Sequence, residues 1–387
     1  MAGVLRLSVV RFLPGVVKPA AVPAVQQKCN ISGKSVRTGQ NIVRPPPYPY
    51  KTKRYGFFQA IFDHTRKRFD DNTKIVVVEG PIASGKSKFA KELAQELDMH
   101  YIPEATMDDY YINFYGHDLR KLDEKLPLSC QSFDEKKFLE TPKHLNTAGF
   151  QINMYAMRFW QYVNALEHVL NTGQGVVLDR CCYSDMVFVE AMAKNDYISK
   201  GARSVYYDVR ENTIQELMKP HLVVYLDVSV EKTKENIKKR AISHEVKSPA
   251  LTDQYLRDIE SFYKQNYLKD ISTHAELLVY DWNEGGETEV VVEDIERIDF
   301  DRFGKHDPKM KDWRHPLEWD WNNIRMKYSV QKHIFYALFN VPRTDVPELL
   351  VNPEDSKQWA DVLEEAPGRK YYPGFNPDQG DKVLWKL

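Results

Sequence analysis

Cysteine is scarce. Four occur in 387 residues, at Cys29, Cys130, Cys181 and Cys182, and none shows C-x-x-C spacing. That argues against a disulfide framework and a cysteine-built metal or iron–sulfur centre, and fits a reducing compartment. A G-x-G-x-x-G dinucleotide turn is missing too. No run approaches the ~18 apolar residues of a membrane span. The net charge of −1 gives no bulk electrostatic case for nucleic acid.

One shortage is local. No acid precedes Asp63, whereas Arg6, Arg11, Lys18, Lys28, Lys34, Arg37, Arg44, Lys51, Lys53 and Arg54 all do. An acid-free, Arg-bearing start with Leu5, Leu7, Val9, Val10 and Phe12 has the composition of a mitochondrial leader, so residues 1–35 are expected to be a transit peptide. Arg11, Pro14 and Gly15 break the apolar stretch a secretory signal needs; a plain basic tail is the alternative.

What the chain does have is a strand–loop–helix unit. The run Lys74-Ile75-Val76-Val77-Val78-Glu79 leads into Gly80-Pro81-Ile82-Ala83-Ser84-Gly85-Lys86-Ser87, and an apolar stripe at i, i+3/i+4 spacing follows. This is the G-x-x-x-x-G-K-S order of a phosphate-binding loop. Gly80, Ser84 and Gly85 let backbone amides turn toward phosphate oxygens, Lys86 reaches the terminal phosphates and Ser87 can ligate Mg²⁺. A second G-K-S at Ser32-Gly33-Lys34-Ser35 has Lys28 in place of the first glycine and no strand before it, so no phosphate site is expected there.

Four more apolar runs end in charge: His100 to Glu104, Gly175 to Arg180, Leu222 to Asp227 and Glu276 to Asp281. A long buried helix is expected from Phe150 to Leu170, closed by Asn171-Thr172-Gly173. Strands alternating with helices predict an α/β fold, a P-loop kinase-like doubly wound parallel sheet flanked by helices, with ligands beyond the strand C-termini. Four segments are expected: the leader (1–35), an extended, uncovered arm and a short amphipathic helix (36–73), the P-loop domain (74–281) and a Trp/Pro-rich extension (282–387). Six of the seven tryptophans fall in that extension. Rings this large either wrap their own domain or dock on other proteins, and docking is the favoured expectation. A helix is placed there from about Leu317 to Phe339.

Together the loop, Glu104, Phe150-Gln151, Asp179-Arg180-Cys181-Cys182-Tyr183-Ser184-Asp185 and Lys238-Lys239-Arg240 resemble the deoxynucleoside kinase family over about residues 74–281. The resemblance implies that Glu104 is the base for a nucleoside 5′-hydroxyl and that Asp179-Arg180 forms the D/E-R-S motif. It implies that Gln151, Arg158 and Asp185 hold the base, that Arg240 lies in the phosphate lid and that Glu245 meets the sugar 3′-hydroxyl. There are departures: Ala83 replaces the central loop glycine, Cys181 the motif serine, and Asn236 and Ile242 two lid arginines. A lost lid guanidinium weakens transition-state charge stabilisation, where one arginine finger is worth roughly 10³–10⁵ in rate.

The leader and aromatic tail, added to that core, resemble the deoxynucleoside-kinase-like accessory subunits of mitochondrial complex I, the NADH:ubiquinone oxidoreductase. This implies a non-redox structural or assembly subunit, peripheral on the matrix side of the inner membrane, without a transmembrane segment. Other complex I subunits would be its partners, through the arm and the extension. A retained nucleotide, purine or deoxynucleotide, with Mg²⁺ is implied; an adenine dinucleotide such as FAD can also place its phosphates on the loop. The alternatives are an active mitochondrial deoxynucleoside kinase, using Glu104, Asp179, Arg180 and Arg240, and a vestigial, empty loop.

Overall fold

Each of the five runs becomes a strand: β1 (Ile75–Glu79), β2 (His100–Ile102), β3 (Val176–Asp179), β4 (Leu222–Asp227) and β5 (Glu276–Asp281). The computed structural model describes residues 31–37, 45–304, 307–343, 346–371 and 373–381. The strands form one parallel sheet in the order β2-β3-β1-β4-β5, with Ile75 beside Val176 and Val76 beside Leu222. Its main helices are α1 (Phe57–Phe62), α2 (Lys86–Glu96), α3 (Thr147–Thr172), α4 (Met186–Lys194), α5 (Lys200–Ile214), α6 (Val230–Arg240), α7 (Asp253–Phe262), α8 (Thr288–Glu296) and α9 (Glu318–Tyr328).

Alternation along each strand sorts side chains into two cores. Ile75, Val77, Val176, Leu178 and Val223 pack with Phe159 of α3, Val189 of α4, Val209 of α5 and Ile259 of α7. Val76, Val78, Val177, Leu222 and Val224 pack with Phe89 and Leu93 of α2 and Ile295 of α8. Both faces of the central strands are covered, which is why β1 reads as an unbroken apolar run. Each such side chain taken from water contributes about 1.5–3 kcal/mol. All strand C-termini consequently open on the same edge, beside the loop.

The leader expected over residues 1–35 lies outside the described residues up to residue 30. Its last part belongs to the folded body: Ile31 is buried in the α2/α8 core, and the Ser32 amide donates to Asn72 Oδ1 at 2.9 Å. The Gly33 amide donates to Glu296 Oε1 at 2.6 Å, so the second G-K-S acts as a strap against α8.

Three expectations change. The arm is pinned rather than uncovered: the Tyr48 amide donates to Asn171 O at 3.0 Å, Arg68 Nε donates to Pro46 O at 3.0 Å, and Tyr55 is fully enclosed. Helix α1 is not amphipathic toward the core; Ala60 alone is buried, while Phe57, Phe58, Ile61 and Phe62 are exposed. The extension mostly wraps its own domain, because Trp321, Tyr328 and Phe335 are core residues against α3. Trp282 meets Phe89 with ring centroids 5.0 Å apart, and Trp313 Nε1 donates to Lys219 O at 2.8 Å. Trp319 and Trp359 remain exposed, and Trp385 lies outside the described residues. The helix expected from Leu317 to Phe339 stops at Tyr328; separate short turns follow at Lys332–Ile334 and Phe335–Leu338.

Arg325 of α9 ties arm, extension and α3 together. Its guanidinium donates to Asp63 Oδ2 at 2.9 Å and to Asn171 Oδ1 at 2.8 Å, and lies 3.5 Å from the Tyr55 ring centre.

Candidate functional site

The loop between β1 and α2 turns through two left-handed residues, Ala83 at φ 56° and Gly85 at φ 83°. Gly85 takes that conformation freely, whereas Ala83 carries a Cβ through it at a cost of about 1 kcal/mol. At Gly80 the close approach is steric: a Cβ would stand 2.9 Å from Leu226 O and 3.1 Å from Ser84 Oγ. Gly85 caps α2, so the free amides of the first helical turn face the loop.

Strand ends deliver the charges. Lys86 Nζ lies 3.0 Å from Glu104 Oε2, just past β2, and 4.0 Å from Asp179 Oδ1 at the end of β3. Arg180, left-handed at φ 65°, donates to Glu104 and, through Nη2, to Gly80 O at 2.7 Å. Arg158 of α3 donates to Asp185 and, at 3.3 Å, to Glu104 Oε1. Gln151, two helical turns earlier, donates to Asp185 Oδ2 at 3.1 Å, and Tyr206 of α5 donates to the same oxygen at 2.8 Å. Six sequence-predicted residues, Lys86, Glu104, Arg180, Arg158, Asp185 and Gln151, thus form one connected network, with Asp179 beside it.

The network shifts its members. Burial works to raise the Glu104 carboxyl, but Arg180, Lys86 and Arg158 outweigh it and hold that group well below the usual range. Asp179 goes the other way: burial pushes its carboxyl up, against Lys86. Among the described residues, both Asp179 oxygens and Ser84 Oγ are buried without a hydrogen-bond partner. Orphaned buried oxygens beside Lys86 and Ser87 are a donor set that suits Mg²⁺ and phosphate, so the residues present fit a metal-bound nucleotide.

Two predicted residues stand apart. Arg240 at the end of α6 forks onto Glu245, with Nη2 to Oε1 at 2.6 Å and Nε to Oε2 at 2.9 Å. Among the described residues no hydrogen bond or ion pair joins that couple to the loop network. The residue in place of the first lid arginine does reach the loop: Asn236 Nδ2 donates to Ala83 O at 3.0 Å. A cavity of about 1200 Å³ lies away from this chemistry, along the β2 edge between Tyr50, His168 and Tyr336.

Glu79 is the residue the sequence reasoning passed over. Fully buried at the end of β1, it accepts from the Cys181 amide at 3.3 Å and from Tyr263 Oη at 3.1 Å, with Arg180 Nε 3.9 Å away. Burial raises its carboxyl to about 7 against the pull of Arg180. The strand-end rule that selected Glu104 and Asp179 applies equally to Glu79. Cys181, in the serine position of the motif, directs its Sγ to Glu79 Oε1 at 3.6 Å. Phe188 also went unnoticed; the guanidinium carbons of Arg158 and Arg180 lie 5.1 and 4.8 Å from its ring centre.

The family described as deoxynucleoside kinase matches residues 76–314. A Mus musculus protein named NADH dehydrogenase (ubiquinone) 1 alpha subcomplex subunit 10, mitochondrial, is 37% identical over 335 residues, or 86% of this chain and 89% of its own. The Bos taurus protein of that name is 36% identical over 82% of this chain and 88% of its own. A deoxyguanosine kinase of Dictyostelium discoideum is 25% identical over 61% of this chain and 74% of its own. The chain therefore belongs to the deoxynucleoside kinase family, in the branch of the mitochondrial NADH dehydrogenase 1 alpha subcomplex subunit 10 proteins.

Proposed function

We propose that this chain is an accessory, non-redox subunit of mitochondrial complex I, with a structural or assembly role and a nucleotide held in its loop. The carrying observation is the reach of the resemblance: it covers 86% of the chain with the mouse subunit and 61% with the Dictyostelium kinase. It is stronger as well as longer for the subunit. Other complex I subunits are its partners, met through the arm and the extension, and it sits peripherally on the matrix side of the inner membrane.

The nucleotide is a purine or deoxynucleotide. Loop amides from Gly80 to Ser87 and the Lys86 ammonium would hold its phosphates; Ser87 and Asp179 would hold Mg²⁺, which neutralises phosphate charge when bound. Gln151, Arg158 and Asp185 would face the base. Holding is favoured over transfer because Asn236 has replaced a lid cation and Arg240 is engaged by Glu245. Active kinase chemistry is the second reading, favoured by the intact Glu104, Asp179 and Arg180.

Extraction of the native protein and mass spectrometry of what it releases tests the reading. A stoichiometric purine or deoxynucleotide is expected. An empty protein would overturn the nucleotide claim, and FAD would replace its identity.

A further inference from the structure

We infer that the outer edge of β2 is a docking groove for an extended, acidic segment of a neighbouring polypeptide, which pairs with the edge as an added strand. This deepens the subunit reading and rests on it, because two walls of the groove are the arm and the extension.

The edge is open in hydrogen-bonding terms. Alternate residues of a parallel strand direct their backbone groups to opposite sides. The His100 amide donates to Gly175 O at 2.8 Å, and β2 pairs with β3 alone. The backbone of Tyr101 therefore points away from the sheet, onto the cavity of about 1200 Å³ that this residue lines. Neither its amide nor its carbonyl has a hydrogen-bond partner among the described residues. Beyond it, Pro103 O accepts from Gln161 Nε2 at 2.6 Å, which ends the free edge. An unpaired donor and acceptor on an edge strand are what a strand from another chain completes.

The walls are braced. Tyr50 Oη meets His168 Nδ1 at 3.0 Å and fastens the arm to α3, and the His100 ring lies 4.5 Å from the His168 ring. On the extension side, Tyr336 lies on Trp160 of α3 with ring centroids 4.4 Å apart and stays 67% exposed. Such rings offer apolar seats to alternate side chains of an added strand. The cavity also exceeds the roughly 300–1,000 Å³ of small-molecule pockets, so a length of chain suits it better than a compact ligand.

Charge selects the occupant. Lys51, Lys53 and Arg54 line the cavity and are exposed, and no ion pair joins them to a carboxylate among the described residues. Glu167, the one lining carboxylate among those residues, is held by Lys332 at 2.6 Å. Three uncompensated cations beside an open edge match Asp or Glu side chains on the incoming strand. The longer stretches of this chain outside the described residues, 1–30, 38–44 and 382–387, contain no Asp or Glu, so they do not supply that strand.

The test is fluorescence anisotropy of the purified full chain with labelled peptides of alternating Asp and Val or alternating Lys and Val, at low and high salt. Binding of the acidic peptide alone, weakened by salt, is expected. Lys51→Glu/Lys53→Glu should weaken it roughly tenfold or more. Tyr101→Pro removes the outward amide and leaves the β3 ladder intact, so it should bind roughly tenfold more weakly than Tyr101→Val. Equal binding of the two peptides, or full binding by the Glu double, would overturn the groove. Equal affinity in the two Tyr101 variants would overturn the added strand and leave a bare anion site. If Tyr101→Pro melts early, carboxyl-to-amine crosslinking of the acidic peptide to the parent decides: crosslinks at Lys51 or Lys53 uphold the groove, and their absence overturns it. A chain that joins complex I yet ignores the peptide would sink the groove alone. Peptide binding by a chain that never joins complex I would uphold the groove and sink the subunit reading.

Discussion

Lys86 and Glu104 are paired across the loop, ammonium to carboxylate, at 3.0 Å. The cation that would meet the outermost phosphate is therefore held by an acid at the end of the neighbouring strand, and the same acid receives Arg180 and Arg158. A triphosphate must compete with Glu104 for Lys86.

Lys86→Ala should weaken nucleotide binding by roughly 10- to 100-fold, the scale of losing a charge-assisted contact worth about 1.5–3 kcal/mol. Glu104→Gln should tighten it several-fold by releasing Lys86. Isothermal titration with Mg²⁺-nucleotide checks both; an unchanged affinity in Lys86→Ala would mean that the loop does not carry the phosphates.

Catalysis is expected to be absent. Incubated with ATP, Mg²⁺ and the common deoxynucleosides, the full chain should form no monophosphate above the level of Lys86→Ala. Turnover that disappears in Glu104→Gln would revive the kinase reading.

Glu79 should leave a mark on stability between about pH 4.5 and 7. Its carboxyl titrates near 7 when folded and at the ordinary 4.5 when unfolded, so the native state binds the extra proton in that window. Stability from this group is complete below about 4.5 and is lost as pH rises toward 7, by up to about 3 kcal/mol. Urea titrations should show Glu79→Gln gaining on the parent across that interval. Parallel pH profiles would place the Glu79 proton elsewhere.

Arg325 and Phe335 should be structural. Arg325→Ala removes a fully buried guanidinium and strands part of Asp63 and Asn171, at a cost of about 3–5 kcal/mol. Phe335→Ala opens a cavity against Phe159 and Tyr328 at a similar cost. Chemical denaturation measures both. Deleting residues 307–387 should leave a chain that aggregates, and a soluble, cooperatively folding remainder would show that the extension is dispensable to the core.

Much of the sheet was legible because its signal is local. Ile75 to Val78 and Leu222 to Leu226 are apolar on both faces, and charges such as Asp179 mark where each strand ends. Lys86, Glu104 and Arg180 of the loop network were legible for the same reason, whereas Gln151, Arg158 and Asp185 were placed by resemblance. The order that centres β1 between β3 and β4 was not, since Val76 gives no hint that Leu222 is its neighbour. Helix α1 misled because aromatic spacing says which residues share a face, not whether a core exists for that face to meet. The extension misled in the opposite way: proline-broken segments promise little burial, yet Trp321 and Phe335 find a ready surface on α3. Arg240 and Glu245 were placed by resemblance to separate tasks, and five residues of chain were enough for them to pair with each other.

The Asp63–Arg325 contact also sets an order of events. The two residues are 262 apart in the chain, and β1 cannot take either neighbour until β3 and β4 follow it by about a hundred residues or more. A ribosome releases the arm and β1 first, with the neighbours of β1 and the Arg325 partner of Asp63 still unmade. Such distant pairings make for slow closure and long exposure of Val76, Val77 and Val78 as unpaired, sticky strand. Newly made chain should therefore depend on a holding chaperone until its last third is available, and α9 can reach the arm only late.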